Sequence, residues 1–359
     1  MGNGTFVGLD VHARSVVAGL IDEGTGEVKV SRAPHDSAEL AEWLAGLASP
    51  VRVAYEAGPT GYGLARALER AGIDCLVAAP GRIPRAPGQR VKNDRREAAR
   101  LARLLRAGEL VPVAVPSGPD EGARDLVRAR EDARADLMRA RHRLSKMLLR
   151  HGRVYDKRAW SGAHDAWLRA QRLDQPATQT ALADYYDAAL QARLRRDRLD
   201  GAIDELAQRP DLAPVVRRLS CLRGVGTLTA VALAVEIGDW HRLSGASIGA
   251  YLGLTPSESQ SGARHSRGPI TKTGNSHARR LLVEAAWHHR RPHRVSAELE
   301  RRRAGARPEV RARAEAAGAR LHRRWVSLES RRGLRSTIVA VAVARELAGW
   351  CWSLAVMDD

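Results

Sequence analysis

FVGLDVHARSVVAGLID, residues Phe6 to Asp22, reads as two strands: Thr5 to Leu9 and Val16 to Ile21 are short apolar runs separated by polar residues. The turn Asp22-Glu23-Gly24-Thr25-Gly26 then leads into a return strand from Glu27 to Arg32. Working along the chain, Asp36-Ser37 offers a cap for a helix ending near Leu47, with Leu40, Trp43, Leu44 and Leu47 on one face. Val51 to Tyr55 is a further strand, Leu64 to Ala71 a helix, and Cys75 to Ala79 a strand closed by Pro80. A loop rich in Pro, Gly and Arg, Pro80 to Arg90, precedes a helix from about Asp94 to Ala107. Strands alternating with helices of this length predict an α/β layer with a partly parallel sheet.

From Asp120 the period changes. Leu126, Ala129, Ala133, Leu137, Ala140, Leu144 and Met147 recur at three and four residues, which predicts a long amphipathic helix. Leu182, Tyr186, Leu190, Leu194, Leu199, Ile203 and Leu206 predict a second, so the two form either the arms of a coiled-coil hairpin or two bundle helices. Beyond Val215 the chain reads as mostly helical, with a loop-like Gly/Ser/Arg segment at Thr255 to Gly274. Boundaries are therefore expected near residues 1–118, 119–210 and 211–359.

Charge points to the partner. The 359 residues carry 59 Lys or Arg against 41 Asp or Glu, a net +18. Ser261 to Arg335 alone holds 19 Arg and 1 Lys against 6 Glu. A stripe that basic suits a polyanion, because each neutralised phosphate releases a counterion. Only 15 aromatics occur, too few for a base-stacking sheet of the RNA-recognition type. Cys75, Cys221 and Cys351 make no CxxC pair, which speaks against a zinc ribbon or disulfide framework. No G-x-x-x-x-G-K loop is present for an ATP-driven step. Ile338 to Val356 is apolar but interrupted by Arg345 and Glu346, and no signal-peptide pattern opens the chain. These features predict a cytoplasmic, nucleoid-associated protein with no membrane span.

Four carboxylates stand where an α/β sheet gathers ligands. Asp10 ends the first strand, Glu56 ends the strand begun at Val51, and Asp94 and Glu97 lie three apart at a helix start. Brought together they would repel one another without cations, so such a set predicts a Mg²⁺ site, with two ions able to act on a phosphodiester.

FVGLDVHARSVVAGLID, VAYEAGPTGYGLARAL (Val53 to Leu68) and VKNDRREAARLARLLRAGEL (Val91 to Leu110) together resemble the RuvC-like DEDD domain of insertion-sequence transposases of the IS-one-ten family, relatives of the Piv-type invertases. The resemblance implies an RNase H-like sheet and a catalytic tetrad at Asp10, Glu56, Asp94 and Glu97. Glu97 departs from the family's fourth Asp, keeping the charge on a longer arm. LRGVGTLTA (Leu222 to Ala230) looks like a helix-hairpin-helix, in which Gly224 and Gly226 would offer backbone N–H groups to a phosphate. The GLTPSESQSG segment, Gly253 to Gly262, with RGPITKTGN, Arg267 to Asn275, resembles the family's second, serine-bearing transposase domain. The resemblance implies that Ser261 attacks the scissile phosphate and is joined covalently to a DNA end.

A serine hydroxyl needs a base or a metal to become nucleophilic. No base lies beside Ser261, whereas Arg264, Arg267 and Lys272 follow it, then Arg279 and Arg280, as cations for a phosphate. Ser259 and Ser266 compete for the nucleophile's place, and no Tyr lies between Ser257 and Leu282. In Trp287 to His293, Pro292 interrupts the helix that would align His289 with His293, which favours a solvated or phosphate-contacting segment over metal. The family further implies a structured bridge RNA pairing with donor and target DNA, and composite active sites in a homodimer or homotetramer. A metal-dependent, structure-selective nuclease using water, and an inactive nucleic-acid-binding relative, are compatible with the same residues.

Overall fold

In a computed structural model, residues 4–84, 93–261 and 264–358 are described, with the backbone alone at Ser261, Arg264 and His265. The latter part of the Pro80 to Arg90 loop lies outside the described residues. The chain divides into two compact units, Met1–Ser117 and Gly118–Asp359.

The first unit holds β1 (Thr5–His12), β2 (Ser15–Asp22), β3 (Val28–Ala33), α1 (Ser37–Ala45), β4 (Val51–Glu56), α2 (Gly63–Arg70), β5 (Asp74–Ala78) and α3 (Asp94–Arg106). The five strands form one sheet in the order β3-β2-β1-β4-β5. β1, β2 and β3 are antiparallel neighbours, while β4 runs parallel to β1 and β5 parallel to β4. Period-two alternation sorts the residues. Val7, Leu9, Val53 and Tyr55 point to one face and pack with Leu40, Leu44 and Leu68 of α1 and α2. Phe6, Ile21 and Ala54 point to the other, against Leu101 and Ala102 of α3.

Helix α3 approaches the sheet closely because two glycines make room. Gly8 and Gly19 are opposite each other in the β1–β2 register. A Cβ on Gly8 would strike the Ala98 carbonyl oxygen, and one on Gly19 would come 2.6 Å from the Ala98 carbonyl carbon. Asn93 caps α3, its side chain accepting from the Arg95 N–H at 2.9 Å. Arg95 and Arg106 donate to the carbonyls of Val30 (3.2 Å) and Glu23 (3.3 Å), tying both ends of α3 to the antiparallel side of the sheet.

The second unit begins with α4 (Gly118–Arg150), α5 (Gly162–Ala170) and α6 (Pro176–Leu206). α4 and α6 pack antiparallel, as the ion pairs Arg130–Asp200 (2.6 Å) and Asp136–Arg195 (2.8 Å) establish. Ala133, Leu137, Ala140, Leu144 and Met147 are buried at alternating intervals of four and three. On α6 the burial is sparser: Leu182, Ala189 and Ile203 are buried. Leu194, expected on the apolar face, is 57% exposed, because the seam falls on the small Ala189 instead.

Next come α7 (Ala213–Ser220), α8 (Thr227–Ile237), α9 (Ile248–Tyr251), β6 (Pro256–Ser261), β7 (Arg264–Ile270), α10 (Ser276–Ala286), α11 (Ala297–Arg303), α12 (Pro308–Val326) and α13 (Ser336–Ala355). By length and composition α13 is apolar enough to cross a membrane, yet Val339, Val343, Leu347 and Leu354 lie in the core with Leu233, Leu282 and Trp325. Its Glu346 is instead paired with Arg320 of α12, at 2.7 Å. The segment expected as a loop, Thr255 to Gly274, contains a β-hairpin. Its strands carry almost no apolar residues, so hydrophobic alternation could not reveal them. Backbone pairing and a cross-strand Glu258–Arg267 ion pair at 3.1 Å hold it.

Candidate active site

Alternation that buries Leu9 on one face turns Asp10 and His12 to the other, the face covered by α3. Glu56 extends β4 beyond Tyr55, the partner of Leu9, and shares Ala54's face. Asp94 opens α3, and Glu97 follows one turn later. Asp10, His12 and Asp94 each offer a ligand atom, all within 4.8 Å of one another. The His12 Nε2 lies 3.5 Å from an Asp10 oxygen and 3.8 Å from an Asp94 oxygen. Asp10's side chain is 15% exposed and Asp94's 55%, so the group opens to solvent on the helix side.

The donor set suits a divalent cation. Two carboxylates at this separation repel, and the only counter-charge within the group is an imidazole. Carboxylate oxygens match hard ions such as Mg²⁺ or Mn²⁺, and the His12 nitrogen adds a borderline donor. Glu56 and Glu97 stand outside the close group of three. His12 was legible as the residue two beyond Asp10 on the same strand face, but only once β1 is seen to run to residue 12.

The basic and glycine positions fall elsewhere, in the second unit. Ser261 ends β6 and pairs with Arg264 at the hairpin tip, and of both the described part is backbone. Arg267 is exposed and bound to Glu258, and Lys272 is exposed with a left-handed φ of 56°. Arg279 donates to the carbonyls of Leu252 (2.9 Å) and Thr273 (2.8 Å), fastening the base of the hairpin to the end of α9. Arg280 pairs with Glu284 at 2.6 Å and with Glu131 of α4. Gly224 adopts φ +83°, and a Cβ there would come 2.5 Å from the Ala285 carbonyl oxygen, so packing against α10 already requires a glycine. Gly226 caps α8.

Below the hairpin lies a polar knot that the sequence did not announce. Glu236 of α8, 3% exposed, accepts from Arg128 (3.1 and 3.0 Å) and Asn275 (2.6 Å), and its Oε1 is 3.1 Å from the His277 Nδ1. Burial by itself would raise this carboxyl's pKa. Hydrogen bonds from His277, Arg128 and Asn275 outweigh it and bring the value down to about 2. Asn275 also caps α10, accepting from the Ala278 N–H at 2.9 Å, so Glu236 fixes where α10 begins.

A mixed sheet of order 3-2-1-4-5, with Asp10 near a strand end and Asp94 at a helix start on one face of it, has the layout of a RuvC-like domain. A DEDD-class transposase profile matches residues 7–152, and the profile described as "Transposase IS116/IS110/IS902 family" matches residues 216–300. The chain is 42% identical to a putative transposase of Sinorhizobium fredii, over 98% of this chain and 88% of that protein. It is 32% identical to the transposase for insertion sequence element IS1533 of Leptospira borgpetersenii, over 91% of this chain and 97% of that protein. The chain belongs to the IS116/IS110/IS902 family of insertion-sequence transposases.

Proposed function

We propose that this transposase cuts and rejoins DNA through a phosphoserine link at Ser261, with Asp10, Glu56, Asp94 and Glu97, joined by His12, as the ligands of two Mg²⁺ ions. The observation that carries the reading is the meeting of Asp10, from a strand end, with Asp94, from a helix start, around His12. Bound by these carboxylates, Mg²⁺ supplies charge to offset the phosphate and to polarise an attacking oxygen. The Ser261 hydroxyl loses its proton, its oxygen bonds to phosphorus, and the bond to the leaving sugar oxygen breaks, that oxygen taking up a proton. The bond energy is kept in the serine ester, so rejoining to a new DNA end needs neither water nor ATP. Arg264, Arg267 and Lys272 neutralise the phosphate beside the serine. Arg279 holds the base of the hairpin and Arg280 ties α10 to α4 behind it, and the turn at Gly224 and Gly226 contributes N–H groups.

Partner choice rests with base pairing in this reading. A structured bridge RNA pairs with donor and target DNA, and the basic protein reads backbone and shape. The α4–α6 hairpin serves as a coiled coil that joins chains into a dimer or tetramer, in which Ser261 of one subunit meets the tetrad of another.

The test is a denaturing gel of purified protein with labelled donor DNA. Wild type is expected to form a labelled adduct that Ser261→Ala abolishes, whereas Ser259→Ala and Ser266→Ala retain it. Mixing Ser261→Ala with Asp10→Ala protein restores part of the activity if the sites are composite. An adduct that survives Ser261→Ala means another nucleophile, and cleavage without any adduct means that water attacks.

A further inference from the structure

A second site lies at the closed end of the α4–α6 hairpin. A cavity of about 160 Å³ opens there between the three helices, lined by Arg141 and Leu144 of α4, Trp160, His164 of α5, and Tyr186 and Arg193 of α6. Trp160, His164 and Tyr186 are its aromatic lining, and Tyr155 and Trp167 back onto His164. His164 and Trp167 stack at 5.7 Å, Tyr155 sits 4.6 Å from His164, and Trp160 meets His164 edge-on at 5.0 Å. Arg141 lies over the Trp160 ring, its guanidinium carbon 4.6 Å from the ring centroid.

Three features are unexpected of a mere helix junction. First, Trp160 is held at φ 60°, a left-handed region that a bulky side chain rarely enters. Its backbone N–H donates to the His164 Nδ1 at 2.9 Å, and the residue stays 37% exposed at the cavity edge. Second, neither Arg141 nor Arg193 makes an ion pair among the described residues, whereas Arg134, Arg139, Arg195 and Arg196 do. Burial, followed by repulsion from Arg196 and Arg193, outweighs the attraction of Asp197 and holds the Arg141 guanidinium below its ordinary pKa. Third, the lone carboxylate of the lining, Asp165, is already engaged by Arg169 at 3.0 Å and by the Tyr186 hydroxyl at 2.8 Å. From Arg139 to Arg172 the chain holds ten Lys or Arg against Asp156 and Asp165.

We infer that this cavity binds an unpaired nucleotide of a single-stranded nucleic acid, the base against the Arg141–Trp160 stack and the phosphate between Arg141 and Arg193. Guanidinium planes and aromatic rings are the surfaces on which unstacked bases rest, and two neighbouring guanidinium groups outside any ion pair suit a phosphate. The site is independent of the serine chemistry proposed above, since it needs only that a single strand be present.

The probe is a twelve-nucleotide oligomer containing 5-bromouracil, in ribose and deoxyribose forms, irradiated with the full-length protein. Label is expected on the tryptic peptide Ala159–Arg169. Arg141→Ala with Arg193→Ala should cut that labelling about tenfold, the scale of one base-stacking contact. Arg331→Ala with Arg332→Ala, the same charge change elsewhere, should leave it within about twofold. Preference for the ribose form assigns the site to an RNA and preference for the deoxyribose form to a DNA strand. Absence of label on this peptide, or equal loss in the two double variants, overturns the inference. Arg193→Ala alone, on an exposed helix position, guards against a variant that fails to fold.

Discussion

Gly8 and Gly19 face each other across the β1–β2 ladder, and the backbone of Ala98 rests where their side chains would be. The active-site geometry depends on this contact, because Ala98 lies one turn beyond Asp94 on α3. A helix pushed off the sheet would carry Asp94 away from Asp10.

Gly8→Ala is therefore expected to act at a distance. The added methyl collides with the Ala98 carbonyl oxygen, and overpacking of this kind costs about 1–3 kcal/mol. Urea unfolding should register the loss, and Mg²⁺ or Mn²⁺ affinity should fall with it. Unchanged stability and metal affinity would show that α3 is free to shift.

His12 gives a direct readout of the metal group. With Mn²⁺ bound, pulsed electron paramagnetic resonance should detect nitrogen coupling in wild type and lose it in His12→Ala, with affinity lowered about 10–100-fold. Asp10→Ala should abolish binding. Affinity and spectrum unaltered by His12→Ala would leave the carboxylates as the metal's protein ligands and His12 as a bystander.

Glu97 tests the length of one arm. If it is a ligand, Glu97→Asp should retain or raise strand cleavage, while Glu97→Ala should lose most of it. Full cleavage by Glu97→Ala would mean that three carboxylates suffice.

Glu236 makes acid stability predictable in sign. Its pKa falls from 4.5 in the unfolded chain to about 2 in the fold, so its contribution is fully present above about pH 4.5. That contribution, on the order of 3 kcal/mol, disappears as pH drops from 4.5 towards 2. His289 acts in the same direction. Burial, then repulsion from Arg223, His288 and His293, lowers its pKa to about 3, so unfolding gains protons below pH 6.5. Glu236→Gln should lose stability at neutral pH and flatten the acid limb of the urea midpoint. An unaltered pH profile would contradict the buried pairing.

The sequence is explicit about unit one because burial there obeys short periods. Val7 and Leu9 alternate with Gly8 and Asp10, and that alternation marks both the strand and the face on which the carboxylates stand. The heptad-like spacing of Leu137, Ala140 and Leu144 marks α4 for the same reason. Where side chains are polar the signal fails. Ser257, Glu258, Ser259 and Gln260 form a strand through backbone pairing, which leaves no apolar trace.

Local pattern thus established the layered α/β unit, the long helices and the charge that calls for nucleic acid, since each depends on residues a few positions apart. Contacts between distant segments belong to the tertiary structure alone. It brings His12 to Asp10 and Asp94, uses Arg279 and Arg280 as internal ties, and gathers Arg128, Glu236, Asn275 and His277 into one buried knot. Such meetings depend on how closely α3 can approach the sheet and where α10 can begin, distances that Gly8, Gly19 and Glu236 set only once the chain has closed upon itself.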